Sequence, residues 1–251
     1  MLLIAILLPA LGAARRTARR MQNSTQMRDI HQGMAMYSSS NRNFYPGLDS
    51  GGDIIADRPP GSLRLADYEG FNGSGDGDTV EARYWALFAG DFVAADYAVS
   101  PSEVDDLPIY DLGPNTIPAP VVWNTDSGDK HYSYAMLSIN GEPGRSPDAP
   151  PRAAEWTQSV NPMAIVLSDR NTGSGTSDTQ VRSIHTDDPG DWKGSVGWND
   201  NSVMFEQSHD RFETKYGGTR NLSDNLFNDD GTAAADALMV VDADDGVSGN
   251  E

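Results

Sequence analysis

The chain contains no cysteine. This excludes a disulfide scaffold, a thiol nucleophile, an iron–sulfur cluster and every cysteine-based zinc site. Apolar residues are also scarce: they make up 38% of the 251 residues, against roughly 45–50% in ordinary globular chains, where that figure also counts glycine. With 25 glycines and 15 prolines the chain is rich in turns, which disfavours an all-helical bundle. The length fits one large domain or two small ones, and there is no internal repeat. Positive charge is in short supply, with 18 Lys and Arg against 37 Asp and Glu and a net charge of −19. So acidic a body repels phosphate backbones, and nucleic acid is not an expected partner. Catalytic signatures are missing as well, with no GxSxG, HExxH or Walker loop. Ser208, His209 and Asp210 are neighbours in sequence, whereas a triad needs groups that converge in space. The chain is expected not to be an enzyme.

Its most informative feature is at the N-terminus. Met1–Ala14 reads MLLIAILLPALGAA, without a charge. A bilayer core of ~30 Å needs ~20 apolar helical residues, so this run is short for a span. No basic stretch precedes it, and the arginine-rich segment after it does not suit a cleaved signal. Arg15, Arg16, Arg19 and Arg20 fall on helical spacing. Ala14, Ala18, Met21, Met27, Ile30, Met34 and Tyr37 continue an apolar stripe in steps of three or four, with one step of six. The polar face carries Arg, Gln and Asn, and His31 is assigned to it. The pattern ends near Asn41–Pro46, where NRNFYPG supplies turn residues and a helix-ending proline. The sequence therefore predicts one helix of about 40 residues, roughly 60 Å long at 1.5 Å per residue, apolar all round in its first third. Pro9 removes a backbone hydrogen bond and is expected to kink it. Charge is split accordingly. Residues 1–42 hold six Arg and one Asp, whereas the remainder holds 12 basic and 36 acidic residues. A basic, apolar-tipped segment on an acidic body suggests a membrane or assembly element joined to an extracytoplasmic domain.

The stretch LLIAILLPALGAARRTARRMQNSTQMRDIHQGMAMYSSSNRNFYPG resembles the N-terminal region of type IV pilin-like proteins (pseudopilins), closest to the planctomycete-type group with a prepilin-type methylation segment. EARYWALFAGDFVAADYAVSP, HYSYAMLSIN, AIVLSDRNTG and GSVGWNDNSVMFEQS resemble the body of that group. The resemblance implies a long N-terminal helix packed on an antiparallel sheet. It also implies a basic leader ending in Gly, then a mature start with Phe and a nearby Glu. These are not in the sequence, so the chain is expected to lack the leader peptide. The group's C-terminal His-to-Asp-Gly motif is degenerate: His185 lies 15 positions before Asp200, and Asn201 stands where Gly is expected.

The body reads as strands and loops. Asp49–Asp78 is loop. Glu81–Ala89 is helical, with Gly90 as its stop, and Asp91–Tyr97 leads into a short YAVSP strand and turn. Val121–Trp123, His131–Ile139, Met163–Ser168 and Val181–Ile184 are β-type runs. Ser195–Trp198 and Val203–Gln207 flank Asn199–Ser202, a hairpin turn. Gly141–Arg152 and Asn171–Thr179 are loops, and Ala233–Val241 is a short helix or strand. The expected fold is α+β and pilin-like: a helical segment 1–43, a globular extracytoplasmic domain 44–241, and an acidic tail 242–251.

Candidate site residues fall into three sets. The membrane and assembly surface comprises Leu2, Leu3, Ile4, Ile6, Leu7, Leu8, Pro9 and Leu11, with Arg15, Arg16, Arg19 and Arg20 at the headgroup level or paired with acids on a neighbour. A calcium loop is suggested by Asn72, Ser74, Asp76 and Asp78, oxygen side chains on alternate residues around a hard cation. Arg83 stands at its twelfth position, where a bidentate Glu is expected. Asp224, Asn228, Asp229 and Asp230 form a second acidic cluster, and Asp242, Asp244 and Asp245 a third. Solvated loops of an acidic secreted protein are the favoured reading of all three, with calcium as the alternative. Trp85, Trp123, Trp156, Trp192 and Trp198 allow a sugar-binding face or a core. His185, beside Asp187 and Asp188, reads as a hydrogen-bonded histidine at a sheet end rather than a ligand.

The expectation is a non-enzymatic, single-pass inner-membrane protein with an outward-facing body. Its partners would be lipid and other pilin-like subunits in a filament or type II secretion-like pseudopilus. The alternative is a tethered module binding calcium or carbohydrate.

Overall fold

In the computed structural model the first element is α1, Leu2–Ser40, a helix of 39 residues that continues through Pro9 and extends about 58 Å at 1.5 Å per residue. The structure describes residues 2–49, 51–52, 54–55, 79–103, 107–110, 130–139, 152–158, 160–177, 179–186, 188–216, 219–228 and 236–241, with the backbone alone for 2–8 and 219. The helix ends where expected. The Asn41 and Asn43 amides both donate to the Ser38 carbonyl at 2.9 Å, and Arg42 and Asn43 take left-handed φ values of 51° and 70°. That conformation stops a right-handed helix and is tolerated best by Gly and Asn.

The second half of α1 lies on the sheet. Asn23, Gln26, Met27, Ile30, His31, Met34, Tyr37 and Ser38 are all buried, a continuous stripe at three- and four-residue steps. The helix approaches the chain at Phe92 and Val93 so closely that a Cβ on Gly33 would lie 2.2 Å from the Val93 side chain and 2.8 Å from the Phe92 carbonyl oxygen. Glycine is required there for lack of space. The expected stripe is therefore correct from Met27 onward and wrong before it. Ala14, Ala18 and Met21 are exposed: the six-residue step to Met27 puts them on another face of the helix, away from the body that Arg16, Arg19 and Arg20 meet.

The sheet comprises β1 (Tyr134–Leu137), β2 (Ile165–Asp169), β3 (Gly194–Trp198), β4 (Val203–Glu206) and β7 (Met239–Val240), in the order β4-β3-β2-β1-β7 and antiparallel at every pairing. Helix α1 packs on β2, β3 and β4. Helix α2 (Val80–Ala89) is capped by the Thr79 side chain and ends at Gly90. It covers β1, with the Tyr84 hydroxyl donating to the Tyr134 carbonyl at 3.1 Å and Arg83 Nη1 to the Leu137 carbonyl at 2.8 Å. Every residue of β1 and β2 is buried, as expected of strands covered on both faces. A second hairpin, β5 (Phe212–Tyr216) and β6 (Thr219–Asp224), is tied to β2 through the Tyr216 hydroxyl, which donates to the Ile165 carbonyl and accepts from its amide. A one-turn helix α3 (Arg152–Glu155) precedes Trp156, whose Nε1 donates to the Pro46 carbonyl at 2.8 Å. The architecture is α+β, with a long N-terminal helix on an antiparallel sheet.

Several local expectations need correction. The YAVSP segment forms no strand: Tyr97 and Ala98 end a 3₁₀ turn, Ala95–Ala98, and Val99 caps it. Val181–Ile184 forms no strand, contributing only the bridge between Ser183 and Thr186. Ala233–Val241 resolves in favour of a strand at Met239–Val240. Arg152, placed in a loop, begins α3. Val121–Trp123 and the tail 242–251 lie outside the described residues.

Candidate functional site

The molecule presents two candidate surfaces: the part of α1 that leaves the body, and the junction where it leaves. Pro9, Leu11, Arg15, Arg16 and Arg19 are exposed on the projecting part, with Leu11 at 53% and Met21 at 67%. Leu2, Leu3, Ile4, Ile6, Leu7 and Leu8 lie on the same helix, their side chains outside the described residues. Among the described residues no helix is long and apolar enough to cross a membrane.

Below the junction a buried polar network holds the rod. Asn23 is completely satisfied. Its Nδ2 donates to Asp169 Oδ1 at 2.8 Å and to Ser195 Oγ at 3.0 Å. Its Oδ1 accepts from Ser100 Oγ at 2.7 Å and from the Tyr134 hydroxyl at 2.9 Å. The Tyr134 hydroxyl is also 2.8 Å from Gln26 Oε1. Burial, reinforced by the nearby Asp169, pushes the Tyr134 phenol well above its ordinary pKa, so it stays a donor. Asp169 also accepts from the Ser195 amide at 2.6 Å and from His185 Nε2 at 2.9 Å. The other ring nitrogen of His185, Nδ1, is 3.2 Å from Ser102 Oγ. His185 is hydrogen-bonded, as its sequence position suggested, but it sits in a turn rather than at a strand end, and its carboxylate partner is Asp169 at the end of β2.

A cleft of about 270 Å³ opens above this network. Arg16, Arg19 and Arg20 form one wall, and Ser102, Ile184, His185 and Thr186 the other. The Arg20 guanidinium lies 4.2 Å from the centre of the Phe205 ring, which meets His185 edge-on at 5.2 Å. Among the described residues no carboxylate pairs with Arg15, Arg16, Arg19 or Arg20. The cleft thus offers fixed positive charge and N–H donors.

Other sequence candidates are dispersed. Asn72, Ser74, Asp76 and Asp78 lie outside the described residues. Arg83, at the twelfth position of that loop, is buried in α2 and offers only donors. In the second cluster Asp224 is buried, with Oδ2 accepting from Thr214 Oγ1 and the Ala237 amide, both at 2.7 Å. It pins a hairpin rather than facing a solvated loop. Asp229, Asp230, Asp242, Asp244 and Asp245 lie outside the described residues, and among the described residues no group of His, Asp or Glu is arranged to hold a metal. Trp85, Trp156 and Trp192 are buried, so the sugar-binding face gives way to a core. Trp198 packs against that core, and Trp123 lies outside the described residues. Ser208 bonds to Asp210, while His209 is buried and stacks on Phe227.

His31 overturns its assignment to the polar face. It is buried, with Nδ1 3.1 Å from Asn201 Oδ1 and Nε2 3.1 Å from the Tyr45 hydroxyl and 3.3 Å from Asn199 Oδ1. Its pKa lies below the ordinary value because burial disfavours the charged ring, outweighing Asn199, Asn201 and Asp200, which favour it. The same turn holds Asp200 and Asn201. Asp200 Oδ1 accepts from the Ser202 amide at 2.8 Å, and Asn201 has φ of 67°, a conformation in which Asn is the natural substitute for Gly. Asn23, Asp169, Ser195, Ser100 and Tyr134 carried no signature in the sequence. The one usable hint was that Asn23 sits four residues before Met27 on the stripe.

In comparisons with family models, with curated proteins and with solved structures, nothing matches this chain.

Proposed function

We propose that this protein is a non-enzymatic, pilin-like envelope protein, tethered to the inner membrane by the tip of α1 and assembling through it with other pilin-like subunits. The observation that supports this is the division of α1. Residues 23–40 are fixed to the sheet, while the described side chains ahead of them are mostly solvent-exposed. A rod that begins with an apolar, uncharged stretch and stands clear of its own body has its remaining partners outside the fold. Lipid surrounds the tip before assembly, and sister helices replace lipid afterwards, so one surface serves both states. The acidic body faces outward, away from anionic headgroups.

The test uses the full chain. Wild type is expected in the membrane fraction and, after detergent extraction, as oligomers. Leu11→Asp, and separately Arg15→Glu with Arg16→Glu, should lower membrane retention and oligomer content several-fold. Because these residues are exposed, the melting temperature of the body should not change. A freely soluble, monomeric wild type would refute the reading, as would variants that fractionate like it.

A further inference from the structure

We propose that the cleft between α1 and the body is a binding site for a phosphate-bearing anion. Arg19 and Arg20 lie three and four residues after Arg16, so each neighbours Arg16 on the helix surface. The three meet Ser102, His185 and Thr186 across the cleft. Like charges at this spacing repel by a few tenths of a kcal/mol per pair, and among the described residues no carboxylate relieves them, although the chain has 37 acidic residues. An anion in the cleft relieves all three at once.

The geometry favours phosphate. Three arginines on one wall of the cleft can offer N–H donors to several oxygens on one centre, and Arg is suited to planar, multidentate recognition of that kind. The volume of about 270 Å³ accommodates a phosphate with a small polar substituent. Part of the wall is fixed in advance. Arg20 is stacked on Phe205, and His185 is locked by Asp169 on one side and Ser102 on the other, so less ordering is needed on binding. The phosphate has two possible sources, a lipid headgroup and a free phosphate ester. Assignment to a headgroup rests on the membrane-tethered reading, in which the cleft lies where the rod leaves the body. The site itself does not depend on that reading.

The full chain in neutral detergent micelles is titrated calorimetrically with inorganic phosphate and with glycerol phosphate at low ionic strength. Saturable one-site binding is expected, weakened at least tenfold by Arg16→Gln with Arg19→Gln and again by Arg20→Gln. Arg15→Gln removes the same charge from a residue that does not line the cleft, and it should stay within twofold of wild type. Absence of saturable binding would overturn the site. So would equal weakening by Arg15→Gln, since diffuse charge would then explain the binding.

Flotation on phosphatidylglycerol and phosphatidylcholine vesicles identifies the source. A preference for phosphatidylglycerol that the double variant loses assigns a headgroup. Equal binding to both lipids that the double variant retains, with the phosphate titration intact, assigns a free phosphate ester, because both headgroups carry a phosphodiester and cleft-held binding would be lost with the arginines. Failure to float on either, with the titration intact, removes the membrane reading and leaves the site standing.

Discussion

The two halves of α1 obey different rules although they share one backbone. In the seated half, polar and apolar side chains alike are buried, and what decides is whether each has a partner on the sheet. Asn23 is tolerated there because all four of its hydrogen-bonding positions are filled, and burying a polar group is costly only when partners are missing. In the projecting half, methionine and leucine are exposed beside arginines, and nothing in the body fixes their environment. The apolar spacing breaks between the halves: the six-residue step from Met21 to Met27 turns the stripe by about 120°, so the two runs lie on different faces. Periodicity within each run reports which side chains share a face, whereas the position of the partner surface decides which face is covered.

The largest effect should come from the hub. Asp169→Ala removes the acceptor of Asn23, the Ser195 amide and His185 together. Each stranded buried donor costs about 1–3 kcal/mol, though not additively, so the expected loss is about 3–5 kcal/mol in chemical denaturation. A loss below about 1 kcal/mol would mean that the polar seat does not hold the rod. Next comes Met27→Ala, within the core under α1, with an expected cost of about 2–5 kcal/mol from lost burial and the cavity left behind.

How much of this was legible in the sequence depends on where each residue's partners lie. Helix α2 carried its own apolar spacing and its stop at Gly90, and the β3–β4 hairpin carried its turn at Asn199–Ser202, so both were readable locally. The Met27–Ile30–Met34–Tyr37 stripe was readable for the same reason. The β5–β6 hairpin was missed, although Phe212, Thr214 and Tyr216 alternate inward and Gly217-Gly218 separates the strands, a recognised two-residue turn signal. The seat was not legible. Asn23 meets Asp169 from 146 positions away and Ser195 from 172, and nothing within a local window marks an Asn as buried. His31 was misplaced for the same reason, since Asn199 is 168 positions distant.

His31 gives a smaller, pH-dependent effect. Its folded pKa is lowered by burial, so the unfolded chain takes up the proton first as pH falls, and stability declines from about pH 6.5 down through the folded value. Above pH 6.5 the ring is neutral in both states and contributes no slope. In thermal melts across pH 7.5 to 5, His31→Gln should therefore flatten the loss of stability relative to wild type. Equal slopes would mean that His31 titrates alike in both states.

The smallest effect on folding is the one that defines the comparison. Met21 and Met27 are the same residue type, less than two turns apart on one helix, yet Met21 is 67% exposed and Met27 is fully buried. Met21→Ala leaves no cavity and strands no polar group, so the body's stability should stay within about 0.5 kcal/mol of wild type. If the projecting half packs against sister helices, however, Met21 becomes an interface side chain in the assembled state. Its truncation should then shift oligomer dissociation in detergent while leaving the monomer's melting curve unchanged. A Met21→Ala variant that destabilised the isolated body as much as Met27→Ala would erase the distinction between the halves. One that altered neither measurement would confine the assembly surface to the apolar tip ahead of the arginines.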